Sequence, residues 1–131
     1  MNIQLTKAVL ASLIGLSGIA QADILGGGPV YGGPASVGGQ ITCRIFNYGL
    51  SSVKITTRQI WNNTNAAETL VSDMCNAALQ PTKYCAFTAS IGGNLAFSCR
   101  VVATGNDVKI SGVAEVKNSS SAILNTVPLQ K

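Results

Sequence analysis

The chain has no histidine among its 131 residues, and that one absence removes a large part of enzyme chemistry. A Ser-His-Asp or Cys-His nucleophile system needs an imidazole to take up a proton, so the usual hydrolase template is excluded. Histidine is also a principal zinc ligand. The cysteines, Cys43, Cys75, Cys85 and Cys99, contain no C-x-x-C pair, so zinc-type ligand sets are strongly disfavoured. Charge is scarce as well: nine Lys and Arg stand against five Asp and Glu, a net charge of +4. The basic residues are spread singly and aromatics make up only 5% of the chain, whereas a nucleic-acid surface calls for clustered cations and stacking rings. Nucleic acid is not an expected partner. The acids Asp23, Glu68, Asp73, Asp107 and Glu115 read as turn and surface residues rather than as a glycosidase pair. No enzymatic activity, cofactor or metal is expected.

Long apolar runs are also missing, with one exception. Ala8 to Ile19 is apolar, follows Lys7, and leads into Ala20-Gln21-Ala22, the pattern of a secretory signal peptide over residues 1–22 with cleavage before Asp23. The run is too short to span a bilayer comfortably, and nothing after it is apolar enough to insert stably in a membrane. A secreted or periplasmic product is expected. In such an oxidising compartment, four cysteines imply two disulfides, which composition alone allows in three pairings.

Residues 26–39 read GGGPVYGGPASVGG. Half of them are glycine and Pro29 and Pro34 interrupt any helix, so residues 23–39 are expected to be a flexible segment preceding a β-sandwich domain over residues 40–131. From Gln40 the texture becomes alternation. Ile41, Cys43 and Ile45 share one face and Thr42, Arg44 and Phe46 the other, before the turn Asn47-Tyr48-Gly49. Residues 52–60 repeat the pattern with Val53 and Ile55 inward, and the two strands read as a hairpin. Phe46 and Ile60 break strict parity, which suggests a bulge or a strand buried on both faces. Residues 65–79 are ambiguous between one helical turn, from the capping-box pattern Asn65 to Glu68, and a short edge strand over Thr69-Leu70-Val71. Strands follow at 84–90, 95–104, 108–117 and 122–129, with Gly92-Gly93-Asn94 read as a further hairpin turn. About seven short antiparallel strands joined by Gly, Asn and Ser turns describe an all-β sandwich.

Cys43 and Cys99 fall on inward faces of strands remote in sequence, so a bridge between them would join the two sheets. Cys75 and Cys85 flank a short loop turned by Pro81 and can meet as a local staple. In the chain-entropy model these bridges contribute about 4 and about 3 kcal/mol respectively.

The segment Cys75-Asn-Ala-Ala-Leu79-Gln-Pro81-Thr-Lys-Tyr-Cys85 resembles the C…L-x-P-G-x-x-C stretch of immunoglobulin-like domains of exported bacterial proteins, including the Hydin type. Phe46-Asn47-Tyr48-Gly49 with Val53-Lys54-Ile55 is similar to their N-x-G…V-x-V hairpin. The resemblance spans about residues 40–129 and departs from the pattern at Thr82, where glycine is usual. It implies an immunoglobulin-like sandwich and an architectural or binding role, and it carries over no catalytic residue.

Elimination leaves a non-enzymatic exported module that contacts a protein or an envelope polymer. The alternatives are a surface-assembly subunit that donates its N-terminal strand to a neighbour, and a small enzyme inhibitor. Trp61, the only tryptophan, and Tyr48, Tyr84, Arg58 and Arg100 are the candidate contact residues. Lys54, Arg58, Arg100 and Lys109 would form a basic stripe if their strands were neighbours. Both N-x-S/T sequons, at Asn62 and Asn118, are explained equally well by the turn-forming value of asparagine.

Overall fold

A computed structural model describes residues 21–131 of the chain. Except for Gln21 and Ala22, the expected signal peptide lies outside the described residues. Eight strands form: β1 (Gln21–Val30), β2 (Gln40–Asn47), β3 (Lys54–Asn62), β4 (Leu70–Asp73), β5 (Tyr84–Ser90), β6 (Phe97–Gly105), β7 (Ile110–Lys117) and β8 (Ile123–Leu129). They pair antiparallel into a three-stranded sheet, β1-β6-β3, and a five-stranded sheet, β4-β5-β2-β7-β8. The two sheets pack as a β-sandwich.

Side-chain alternation explains the core directly. Ile41, Cys43 and Ile45 of β2 are buried, as are Phe87 and Ala89 of β5, Ala114 and Val116 of β7, and Phe97, Cys99, Val101 and Ala103 of β6. Together they form one contiguous apolar cluster. Cys43 is bonded to Cys99 and so ties β2 of one sheet to β6 of the other. Cys75 is bonded to Cys85, at the start of β5. Both pairings are those that strand parity and loop length had indicated.

Three expectations change. First, residues 23–39 are not a flexible lead: β1 pairs with β6 from Gln21 to Val30 and buries Leu25 and Val30. Glycine here makes room for close backbone contact. A Cβ on Gly27 would lie 2.8 Å from the Pro128 carbonyl oxygen, and one on Gly28, whose φ is +134°, would lie 2.7 Å from the Phe97 carbonyl oxygen. Only a residue without a side chain fits there. This strand raises the count from about seven to eight. On its outer side Gly26 exchanges two backbone hydrogen bonds with Gln130, of 2.8 and 2.7 Å, which closes one side of the sandwich. Asp23 accepts a hydrogen bond from Lys131 Nζ at 2.8 Å across the same seam, and this contact holds the Lys131 ammonium pKa above its ordinary value.

Second, β2 and β3 do not form a hairpin, because they belong to different sheets. Asn47 makes the crossover possible. Its fully buried side chain donates to the carbonyls of Ser51 and Leu79, both at 2.9 Å, and accepts from the Gly49 N–H at 2.9 Å. Gly92-Gly93-Asn94 likewise carries the chain from β5 to the other sheet. Among the named strands, the consecutive pairs that do hydrogen-bond are β4 with β5 and β7 with β8.

Third, Phe46 and Ile60 have separate explanations. A bulge between Ile55 and Thr57 shifts the β3 register and returns Ile60 to the core. Phe46 simply points outward, 40% exposed. The ambiguous stretch resolves as the short edge strand β4. Asn65 takes a φ of +63°, and the Asn62 carboxamide oxygen accepts from the Thr64 and Ala66 N–H groups, a side-chain-stabilised turn that takes the place of a helix start.

Thr82 also has positive φ, +64°, a conformation costly for a β-branched side chain. Its N–H is held by the Asn47 carbonyl oxygen at 2.9 Å. Thr82→Gly is expected to raise the unfolding free energy by about 1 kcal/mol, since relief of strain exceeds the added entropy of the unfolded chain. Equilibrium urea unfolding measures this, and a loss of stability would contradict it.

Candidate functional site

Among the described residues, four of the eleven exposed large apolar side chains, Phe46, Tyr48, Met74 and Tyr84, lie at one end of the five-stranded sheet, while the others, such as Ile24 on β1 and Ile123 on β8, are spread over the molecule. The β2 register sets Phe46 opposite Tyr84 of β5 and, on its other side, opposite Ser111 of β7. One rung along, Arg44 lies between Ala86 and Val113. These outward residues frame a shallow groove of about 310 Å³. Tyr84 is 61% exposed. Met74, 67% exposed, is fixed beside β5 by its backbone N–H bond to the Ala86 carbonyl oxygen. Tyr48 continues the β2 line two residues beyond Phe46, its N–H bonded to the Lys109 carbonyl oxygen.

Arg44 organises the groove. Its Nε donates to Glu115 Oε1 at 2.9 Å, and its guanidinium carbon lies 6.0 Å from the Tyr84 ring centroid, at the outer limit of a cation–π contact. The guanidinium is thus fixed by one carboxylate and one ring, and its aliphatic stem lies in the apolar rung of Ala86 and Val113. A surface of aromatic rings, a thioether and one held arginine is the composition that marks the centre of protein interfaces.

The structure brings together only part of the sequence-predicted set. Tyr48 and Tyr84 share this end of the five-stranded sheet. Trp61 and Arg100 lie on the outer face of the three-stranded sheet, where Trp61 stands opposite Ser98 and Arg100 opposite Gln59. Arg58 belongs to neither surface: its Nε bonds Asp73 Oδ2 at 2.6 Å and its Nη1 bonds the Ile55 carbonyl oxygen at the bulge. It links the β3 and β4 edges of the two sheets, so its role is structural. Lys109 pairs with Asp107. The basic stripe therefore reduces to Lys54 and Arg100. Phe46, Arg44 and Met74 were not predicted as contact residues. The outward parity of Phe46 among the polar residues Thr42 and Arg44 was the available signal.

Among the described residues no three His, Cys, Asp or Glu side chains converge as a metal site, and no helix is long and apolar enough to cross a membrane. Compared with known proteins, the chain matches no family model, no curated protein and no solved structure.

Proposed function

We propose that this chain is a non-enzymatic binding module, exported through its N-terminal signal, that docks a protein partner on the outer face of its five-stranded sheet. The observation that carries this reading is the exposed cluster of Phe46, Tyr84, Met74 and Tyr48 around a pre-positioned Arg44. Large exposed apolar side chains grouped on one face mark a contact surface, whereas single scattered ones do not. Export is supported by two disulfides and the A-x-A signal. The non-enzymatic reading is supported by the lack of histidine and by the commitment of every cysteine to a bridge. Strand donation is less favoured, since β1 completes its own sheet between β6 and Gln130.

A photo-crosslinking residue placed at Tyr84 is expected to yield one discrete crosslinked species in the native compartment. The same residue at exposed Ser52 should yield none. Adding Phe46→Ser to the Tyr84 variant should reduce the product about tenfold or more. Equal labelling from both positions would remove the five-stranded face as the docking surface.

A further inference from the structure

The outer face of the three-stranded sheet has a different chemistry. Its outward residues are Lys54, Thr57, Gln59 and Trp61 on β3, Ser98, Arg100, Val102 and Thr104 on β6, and, beyond the expected cleavage point, Ile24 and Gly26 on β1. None is acidic. Among the described residues four ion pairs occur, and they engage every Asp and Glu except Glu68. Arg100 and Lys54 take part in none of them. Glu68 lies near Trp61 in the fold but is held by the Asn62 side chain at 2.8 Å. The net positive charge is thus concentrated in side chains with no internal partner, and two of them share this face.

Trp61 is presented on the same face with small neighbours. Ser98 is opposite it on β6 and Ala67 is opposite it on the outer side, so no bulky residue is paired across from the indole. Its Nε1 donates to Gln59 Oε1 at 3.3 Å, which leans the ring toward the Gln59–Arg100 rung. Arg100 is the diagonal neighbour of Trp61, about 7–8 Å away by sheet geometry. On the β1 side of Arg100 the paired residue is Gly26, which leaves bare backbone beside the guanidinium. Next to Trp61, a recess of about 240 Å³ is lined by Gly28, Pro29, Asn63 and Ser98.

We infer that this face binds an acidic polysaccharide, with a sugar ring stacked on Trp61 and its carboxylate held by Arg100. A pyranose offers an apolar C–H face to the indole and hydroxyls to Gln59, Ser98 and Asn63. A carboxylate suits the planar fork of an unpaired arginine. Lys54, opposite Thr104, stands about 13 Å along the strand from the Arg100 rung, in position for a second carboxylate of the same polymer. Single-stranded nucleic acid would also stack and neutralise cations, but one ring and two cations give a short footprint for it. The disulfides, moreover, belong to an oxidising compartment.

Because Trp61 is the only tryptophan, its fluorescence reports the site directly. Titration of the intact protein with polygalacturonate is expected to shift or quench the emission, with binding weakened by added salt. Arg100→Gln, at an exposed position, should weaken binding about tenfold, and Trp61→Leu should abolish it when followed by co-sedimentation. Lys83→Gln, at an exposed loop position outside this face, should leave it unchanged. Neutral dextran should bind more weakly than polygalacturonate. The inference is overturned if polygalacturonate does not bind, if Arg100→Gln and Lys83→Gln weaken it equally, or if oligothymidylate binds more tightly. Either result leaves the reading of the five-stranded face untouched, since the crosslinking readout uses the opposite surface.

Discussion

Replacing Cys43 and Cys99 together by alanine is expected to lower the unfolding free energy by about 4 kcal/mol, within the range of about 2–5 for loss of a native disulfide. The bridge joins β2 to β6 across the core over a sequence separation of 56 residues, so it removes much of the freedom of the unfolded chain. Both residues sit in the centre of the apolar cluster, 0% and 2% exposed. Alanine in place of the sulfurs also leaves a small void. The Cys75–Cys85 bridge closes a separation of only 10 residues. Its removal should therefore cost about 3 kcal/mol. Urea unfolding of the two double variants tests the order. If loss of Cys75–Cys85 destabilises more, the inter-sheet bridge is not the dominant covalent tie.

The second large effect is expected at Asn47. Asn47→Ala should cost about 2–4 kcal/mol, because it leaves the buried Gly49 N–H without its partner, strips the Ser51 carbonyl of its bond and removes one of the two bonds to the Leu79 carbonyl, which keeps only that from the Val53 N–H. Asn47→Asp should be no milder: it keeps an acceptor for Gly49 but loses both donations and sets a carboxylate against two carbonyl oxygens. Tyr48→Ser, one residue away and 52% exposed, should change stability by no more than about 0.5 kcal/mol. A loss at Asn47→Ala as small as that at Tyr48→Ser would mean that the crossover is held by backbone contacts alone.

Strands β2, β3, β5, β6 and β7 were legible because the residues of one face are buried, which writes period-two alternation into the sequence, whereas β4, which buries no face, stayed ambiguous with a helical turn. That same parity placed Cys43 and Cys99 inward and so predicted their bridge. Sheet membership was not legible. Asn47-Tyr48-Gly49 and Gly92-Gly93-Asn94 announce a reversal of the chain, but such residues serve equally for a hairpin and for a passage to the opposite sheet. β1 was missed because its glycines, which in isolation imply a flexible chain, are required by the carbonyl oxygens of Pro128 and Phe97 close against them. The grouping of Tyr84 with Phe46 follows from the β2–β5 register, which no local pattern encodes. The separation of Arg58 from Arg100 has the same origin: the bulge after Ile55 turns Arg58 toward Asp73.

The Cys43–Cys99 bridge has a mechanical consequence. If the chain were pulled by its ends, tension could draw out only residues before Cys43 and after Cys99. About 190 Å of contour length would stay sealed inside the covalent loop. Arg44, Phe46, Tyr48, Trp61, Met74 and Tyr84 all lie within it, and Arg100 is the first residue beyond. A tether that peeled away β1, β7 and β8 under load would therefore still hold nearly all the residues through which this domain is proposed to grip its partners on a single unbroken length of covalent chain.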